Sequence, residues 1–211
     1  MMRSLALLVA SLCPVLQSAS AKLTWGTTKN LFVFGDSYTT TGYNVTLGVD
    51  SATPGWTSSN GPNWVMSLTD TYNVNQTKVY NLAYGGATTD SQLVTPYLPT
   101  VISFDDQVDL WNKYFSPPPE LAPWKSSDTL FAIMIGINDI GNSWYWTNVT
   151  QIGFHKTLLN RYFDLWCLCH FATNTTAKEV MPLPQSQYIQ IRLKTFTVEA
   201  LARIFSSMCH R

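Results

Sequence analysis

The chain has 211 residues, with 13 Lys or Arg balancing 13 Asp or Glu, and only 12% of its residues are charged against 45% that are hydrophobic. That length suits one domain with a sizeable core. The neutral balance lacks the basic stripe by which proteins grip nucleic acid or anionic lipid, so a small neutral molecule is the expected partner.

At the N-terminus, Met1–Ala21 sets Arg3 before an apolar core from Leu5 to Leu16 and ends in Ala19-Ser20-Ala21, the layout of a secretory signal peptide. The core is shorter than the roughly 20 residues that span a bilayer, so no membrane span is expected. A secreted, extracellular chain starting at Lys22 follows. The N-x-S/T sequons at Asn44, Asn75, Asn148 and Asn174 agree with it.

Next comes Leu31-Phe32-Val33-Phe34, an apolar β-type run that leads into Gly35-Asp36-Ser37-Tyr38. A serine hydroxyl becomes a useful nucleophile only where its Oγ is exposed at a turn and backbone N–H groups face a developing oxyanion. A strand ending in Gly35 supplies such a turn and makes Ser37 the candidate nucleophile, although Gly, Asp and Ser also favour ordinary turns. Thr39–Pro62, rich in Thr, Ser, Gly, Asn and Pro, reads as a long surface loop beside it. Asn63–Tyr72 reads as a short helix.

Lys78-Val79-Tyr80-Asn81 opens a second strand, which runs through Leu82-Ala83-Tyr84 into the pair Gly85-Gly86. Thr100–Phe115 reads as a helix with Phe104, Val108, Trp111 and Phe115 on one face. Ser116-Pro117-Pro118-Pro119 then forms a stiff connection to a third strand, Asp128–Ile135, which ends in Gly136-Ile137-Asn138-Asp139. In open α/β sheets ligands sit outside the carboxyl ends of the strands, where all three of these loops fall. Gln151–Trp166 completes the pattern as a helix with Ile152, Leu158, Leu159, Tyr162, Phe163 and Trp166 on its apolar stripe. His155 falls on that stripe as a core or boundary residue.

Gly35-Asp36-Ser37, Asn81–Ala87 and Gly136-Ile137-Asn138-Asp139 resemble three of the four motif blocks of the SGNH, or GDSL, hydrolase superfamily. The chain is most similar there to the secreted fungal acetylesterases of carbohydrate esterase family 16, over the span from Trp25 to Trp166. The resemblance implies an α/β three-layer sandwich with a mostly parallel, flavodoxin-like sheet, incomplete at the C-terminus. It also implies an ester hydrolase without a cofactor. Ser37 attacks the carbonyl, while the Ser37 amide, the Gly86 amide in preference to Gly85, and the Asn138 side chain hold the oxyanion. Asp36 is expected to fix the turn around Ser37 and Asp139 to position the Asn138 loop. Trp56, Trp144 and Tyr145, with Trp146, flank these loops as candidate sugar-stacking residues, since aromatic faces cover sugar faces while leaving hydroxyls hydrated.

The fourth block of the superfamily, Asp-x-x-His, has no counterpart. His155, His170 and His210 have Ile152, Cys167 and Ser207 three residues earlier instead of an aspartate, although His210 stands near the end, where the superfamily's base would be. Loss of the base in a serine hydrolase costs on the order of 10⁶ in kcat, so the polypeptide is expected to be nearly inactive by itself. Composition also changes near Cys167, from eight basic and eleven acidic residues before it to five and two from there on. The chain therefore divides into a leader (1–21), an SGNH-like domain (22–166) and a divergent tail (167–211), which either an altered reading frame or a genuine short variant with a divergent C-terminal region would explain. Cys167, Cys169 and Cys209 form an odd set in an oxidising compartment. Together with His170 and His210 their spacing is too irregular for a metal site.

Three functions follow, all for a monomer. The first is an esterase that removes acetyl groups from hemicellulose oligosaccharides. The others are a noncatalytic glycan-binding protein and a lipase-like acylhydrolase for longer acyl chains.

Overall fold

The computed structural model describes residues 23–172. Three parallel strands form one sheet in the order β2-β1-β3, with β1 at Asn30–Gly35, β2 at Lys78–Asn81 and β3 at Thr129–Met134. Asn30 pairs with Lys78 on one side and Thr129 on the other, and Gly35 reaches Met134. All six residues of β1 are buried, as a central strand covered on both faces requires.

Side chains alternate across a strand, and the two faces of β1 enter different cores. Leu31 and Val33 pack with Val65, Trp64 and Val79. Val79 belongs to β2, and Trp64 and Val65 belong to a helical segment, α1 (Trp64–Met66), which continues as a π-turn over Ser67–Thr71. Phe32 and Phe34 face the larger core with helices α2 (Phe104–Phe115) and α4 (Gln151–Ala172). Phe32 lies at its centre, with ring centroids 4.8–5.8 Å from Tyr80, Phe115, Phe131, Trp124 and Trp111. Helix, sheet and helix give the three layers expected. The chain passes from β1 to β2 on one side and then crosses to β3 on the other, so the carboxyl ends of β1 and β3 flank a topological switch point.

Three expectations shift in detail. Helix α2 starts at Phe104 rather than Thr100, because the Ser103 amide donates to the Asp106 carboxylate at 3.0 Å and closes the helix start. The Thr39–Pro62 loop is not wholly superficial, since Thr39, Thr40, Thr41, Tyr43 and Val45 are buried. In α4 the period holds but the phase rotates. Leu158 and Leu165 are buried, whereas Ile152 is 87% exposed and Leu159 and Phe163 are also exposed. The contact with α2 is a narrow seam at seven-residue spacing, so the broader stripe faces outward. His155 falls on the seam side, with Nε2 buried and no hydrogen-bond partner among the described residues. Helix α4 also runs through Cys167 to Ala172, across the change in composition.

Candidate active site

Ser37 follows β1 in a tight turn. The carbonyl of Asp36 accepts the amides of Thr39 and Thr40, both at 3.0 Å, and the Asp36 carboxylate accepts the Tyr38 amide at 3.0 Å. Asp36 thus spends its backbone and side-chain oxygens on closing the turn that presents Ser37. Burial pushes its carboxyl above the usual range, while the Tyr38 amide pulls the other way. Ser37 itself is half-buried, and no hydrogen bond among the described residues joins it to a histidine.

The loop is held from outside by two buried asparagines. Asn81, the last residue of β2, donates to the Thr39 carbonyl at 2.7 Å and to Thr41 Oγ1 at 3.0 Å. Asn63 donates to the carbonyls of Thr39 and Thr40 at 3.0 and 2.9 Å, while its oxygen caps α1 through the amides of Val65 and Met66.

The second loop is anchored to the first where the Tyr84 amide meets the Gly35 carbonyl at 3.0 Å. Gly86 has φ +83°, and a Cβ there would stand 2.1 Å from Cε1 of Tyr97. Gly85 has no such neighbour within 4 Å. The glycine requirement therefore falls on Gly86, whose bare Cα faces the Tyr97 ring.

The third loop opens α3 (Ile137–Ser143), with Gly136 before it at φ +125°. Asn138 donates to the Ala87 carbonyl at 2.8 Å, which ties it to the residue after Gly86. An amide nitrogen carries two hydrogens, so this bond leaves one for a ligand. Asp139 points inward and bonds Thr89. Burial raises its carboxyl, Thr89 opposes the shift, and the nearby Asp36 adds a like-charge push. These bonds draw the three motif loops together at the switch point.

Residues 31–164 match the GDSL-like Lipase/Acylhydrolase family. The chain belongs to that family. It is 46% identical over 144 residues to an acetylesterase of Thermothelomyces thermophilus, an alignment that covers 64% of this chain and 47% of the relative. The chain thus spans about half the length of the curated relative it matches. The matched segment contains all three GDSL-family loops and the bonds between them.

The flanking aromatic residues lie at the surface. Trp56, Trp144 and Tyr145 are 56%, 68% and 60% exposed. Trp144 and Tyr145 stand edge to face at 5.8 Å, and Trp56 lies against Gly42. Tyr38, Tyr84 and Tyr97, which sequence reasoning did not single out, are exposed beside the same loops. Gln107, Asn63 and Arg161 were also missed. Gln107 had a signal, as a polar residue on the face that carries Phe104, Val108 and Trp111.

Among the described residues no group of His, Cys, Asp and Glu is placed to hold a metal ion. Of the cysteine and histidine set in the tail only the Cys167 side chain is described; those of Cys169, His170, Cys209 and His210 lie outside the described residues. Likewise, no helix among the described residues is long and apolar enough to cross a membrane. Asn44, Asn75 and Asn148 are exposed, and Asn174 lies outside the described residues.

Proposed function

We propose that this chain carries the nucleophile and oxyanion half of a secreted serine esterase that removes acetyl groups from carbohydrate esters. The observation that carries this reading is the convergence of the Ser37, Gly86 and Asn138 loops at the carboxyl ends of three parallel strands. The likeness to an acetylesterase supports the acyl group, and the exposed aromatic rim supports a sugar as the alcohol.

In the proposed reaction Ser37 Oγ adds to the ester carbonyl. The Ser37 and Gly86 amides and the free Asn138 amide hydrogen stabilise the oxyanion, and a sugar hydroxyl leaves as the acyl-serine forms. Water then attacks that acyl group and returns free Ser37 and acetate. A proton acceptor is needed in both halves. The sequence has no Asp-x-x-His to supply one, so slow turnover is expected of this polypeptide by itself.

Hydrolysis of 4-nitrophenyl acetate by the full chain, with Ser37→Ala and His210→Ala alongside, tests this. Serine-dependent turnover supports the esterase reading, and its further loss in His210→Ala assigns the base to the tail. Turnover equal to that of Ser37→Ala sinks the reading of this polypeptide as a catalyst. The exposed Trp144 and Tyr145 favour a second reading, a glycan-binding protein. Its mark would be affinity for acetylated xylo-oligosaccharides without hydrolysis. Comparison of acetyl with octanoyl esters separates a small acyl pocket from a lipase-like cleft. Glycosylation at Asn44, Asn75, Asn148 and Asn174 belongs to the same secreted reading, and a mass shift on glycosidase treatment tests it.

A further inference from the structure

The Gly35-Asp36-Ser37 turn hangs on a residue far from the motif. Gln107, in the second turn of α2, is fully buried, and its side-chain amide brackets the peptide groups of Gly35. Gln107 Oε1 accepts the Gly35 amide at 2.9 Å, and Nε2 donates to the Gly35 carbonyl at 2.9 Å. Its second Nε2 hydrogen goes to the Ile102 carbonyl at 3.0 Å. Both amide hydrogens and the acceptor oxygen are therefore engaged.

The position explains the need. Strand β2 ends at Asn81, which pairs with Val33, two residues before Gly35. Beyond that point the neighbouring chain returns only one bond to Gly35, from the Tyr84 amide to its carbonyl. The Gly35 N–H then requires another acceptor, since an unpaired buried amide is costly. Gln107 supplies that acceptor and continues the ladder for one residue with a side-chain amide in place of a peptide. The space around Gly35 is also closed, because a Cβ there would meet the Met134 carbonyl at 2.3 Å. Gly35 is therefore paired with Met134 of β3 where no side chain fits, and held from α2 by hydrogen bonds, two residues before the nucleophile.

We propose that Gln107 is a positioning residue for Ser37. It sets the exit direction of β1 and so the place of Ser37 relative to the Gly86 and Asn138 loops. The inference rests on the esterase reading for its kinetic consequence but not for its structural one, and the two are read separately.

The test uses the full chain with Gln107→Met, which keeps the bulk but not the amide. Gln107→Asn, one methylene shorter, keeps the amide chemistry and serves where the first variant does not fold. Hydrogen exchange is followed at the Thr39 and Thr40 amides and, as an internal control, at those of β2. The expected result is at least tenfold faster exchange in the turn with β2 unchanged, accompanied by at least a tenfold fall in kcat for 4-nitrophenyl acetate at unchanged KM. Unchanged exchange in the turn, or equal acceleration in β2, would overturn the assignment, because Gln107 would then be an ordinary core fastener. A kcat equal to wild type in an active protein would overturn it as well. If the wild-type chain shows no Ser37-dependent turnover, the reading of this polypeptide as a catalyst fails, and the exchange data alone decide the role of Gln107.

Discussion

Asp139 receives the Thr89 amide on both carboxylate oxygens at 3.0 Å and the Thr89 hydroxyl on one of them at 3.1 Å. Both residues are buried, and this contact, together with the Asn138 bond to Ala87, fastens α3 to the second motif loop. Asp139→Ala leaves an amide and a hydroxyl without an acceptor. A loss of about 1.5–3 kcal/mol is expected, the usual range for hydrogen bonds to a charged group. Asp139→Asn, which keeps one acceptor oxygen, is expected to lose less. Urea unfolding of the three proteins checks this, and equal midpoints would show that Thr89 finds another acceptor.

The loop is fastened again one residue later. Arg161 Nε of α4 lies 2.5 Å from Asp90 Oδ2, with the Asp90 side chain 8% exposed. By contrast Lys29 lies 3.8 Å from Asp128 with its own side chain 74% exposed. Removal of Arg161 takes the cation from a buried carboxylate that keeps the Gln92 amide, whereas the Lys29 ammonium is itself mostly solvated and its contact with Asp128 is long. Arg161→Ala should cost about 1–2 kcal/mol, below the range for a fully buried pair because the arginine is partly solvated. Lys29→Ala should cost no more than about 0.5 kcal/mol. Thermal unfolding in low and high salt separates them, since salt screens only the exposed pair. Equal effects would mean that Arg161 adds nothing beyond its surface charge.

The three strands and α2 were legible because hydrophobic pattern and turn residues agreed at each. Leu31–Phe34 is a continuous apolar run of the kind a strand buried on both faces needs, and Phe104, Val108, Trp111 and Phe115 recur at helical spacing. The motif loops were legible for the same reason at Gly35 and Gly136, which stand at strand ends, whereas β2 stops at Asn81, short of the predicted run through Tyr84 into Gly85-Gly86. What sequence could not supply were contacts across long separations. Gln107 reaches Gly35 over 72 positions and Arg161 reaches Asp90 over 71. Nor did periodicity fix the phase of α4. Ile152, Leu159 and Phe163 fit a helical stripe, but which stripe meets α2 depends on the packed partner.

Asp105 gives the fold a pH dependence. It lies in the first turn of α2, and burial pushes its carboxyl up to about 6, with Asp106 and then Asp90 adding like-charge repulsion. One of its oxygens is buried without a hydrogen-bond partner among the described residues. Between its ordinary value of 3.8 and about 6 the folded chain holds this proton while the unfolded chain releases it. The resulting stability is therefore full below the unfolded value and is lost as pH rises through about 6. Asp105→Asn removes the titration and keeps the shape. It should raise Tm at pH 7 and leave Tm nearly unchanged at pH 4. A variant that melts in parallel with wild type at both values would show that Asp105 is solvated and unshifted.

The two glycines of the second loop should respond in opposite ways to one added methyl group. Gly85 has open space around it, so Gly85→Ala should change Tm by less than a degree or two and leave any esterase activity in place. Gly86 combines φ +83° with the Tyr97 ring in the path of a Cβ. The backbone conformation alone costs a non-glycine residue about 1–2 kcal/mol. Displacement of the ring adds to that. Gly86→Ala is therefore expected to lower stability and to abolish Ser37-dependent turnover of 4-nitrophenyl acetate, because relief of the strain and clash moves the amide proposed as oxyanion donor. The double variant Gly86→Ala/Tyr97→Ala removes the clash but not the strain. It should recover part of the lost stability, with a coupling energy of about 0.5 kcal/mol or more, as contacting residues show in such cycles. Strict additivity of the two substitutions would mean that Tyr97 does not rest on Gly86 in solution.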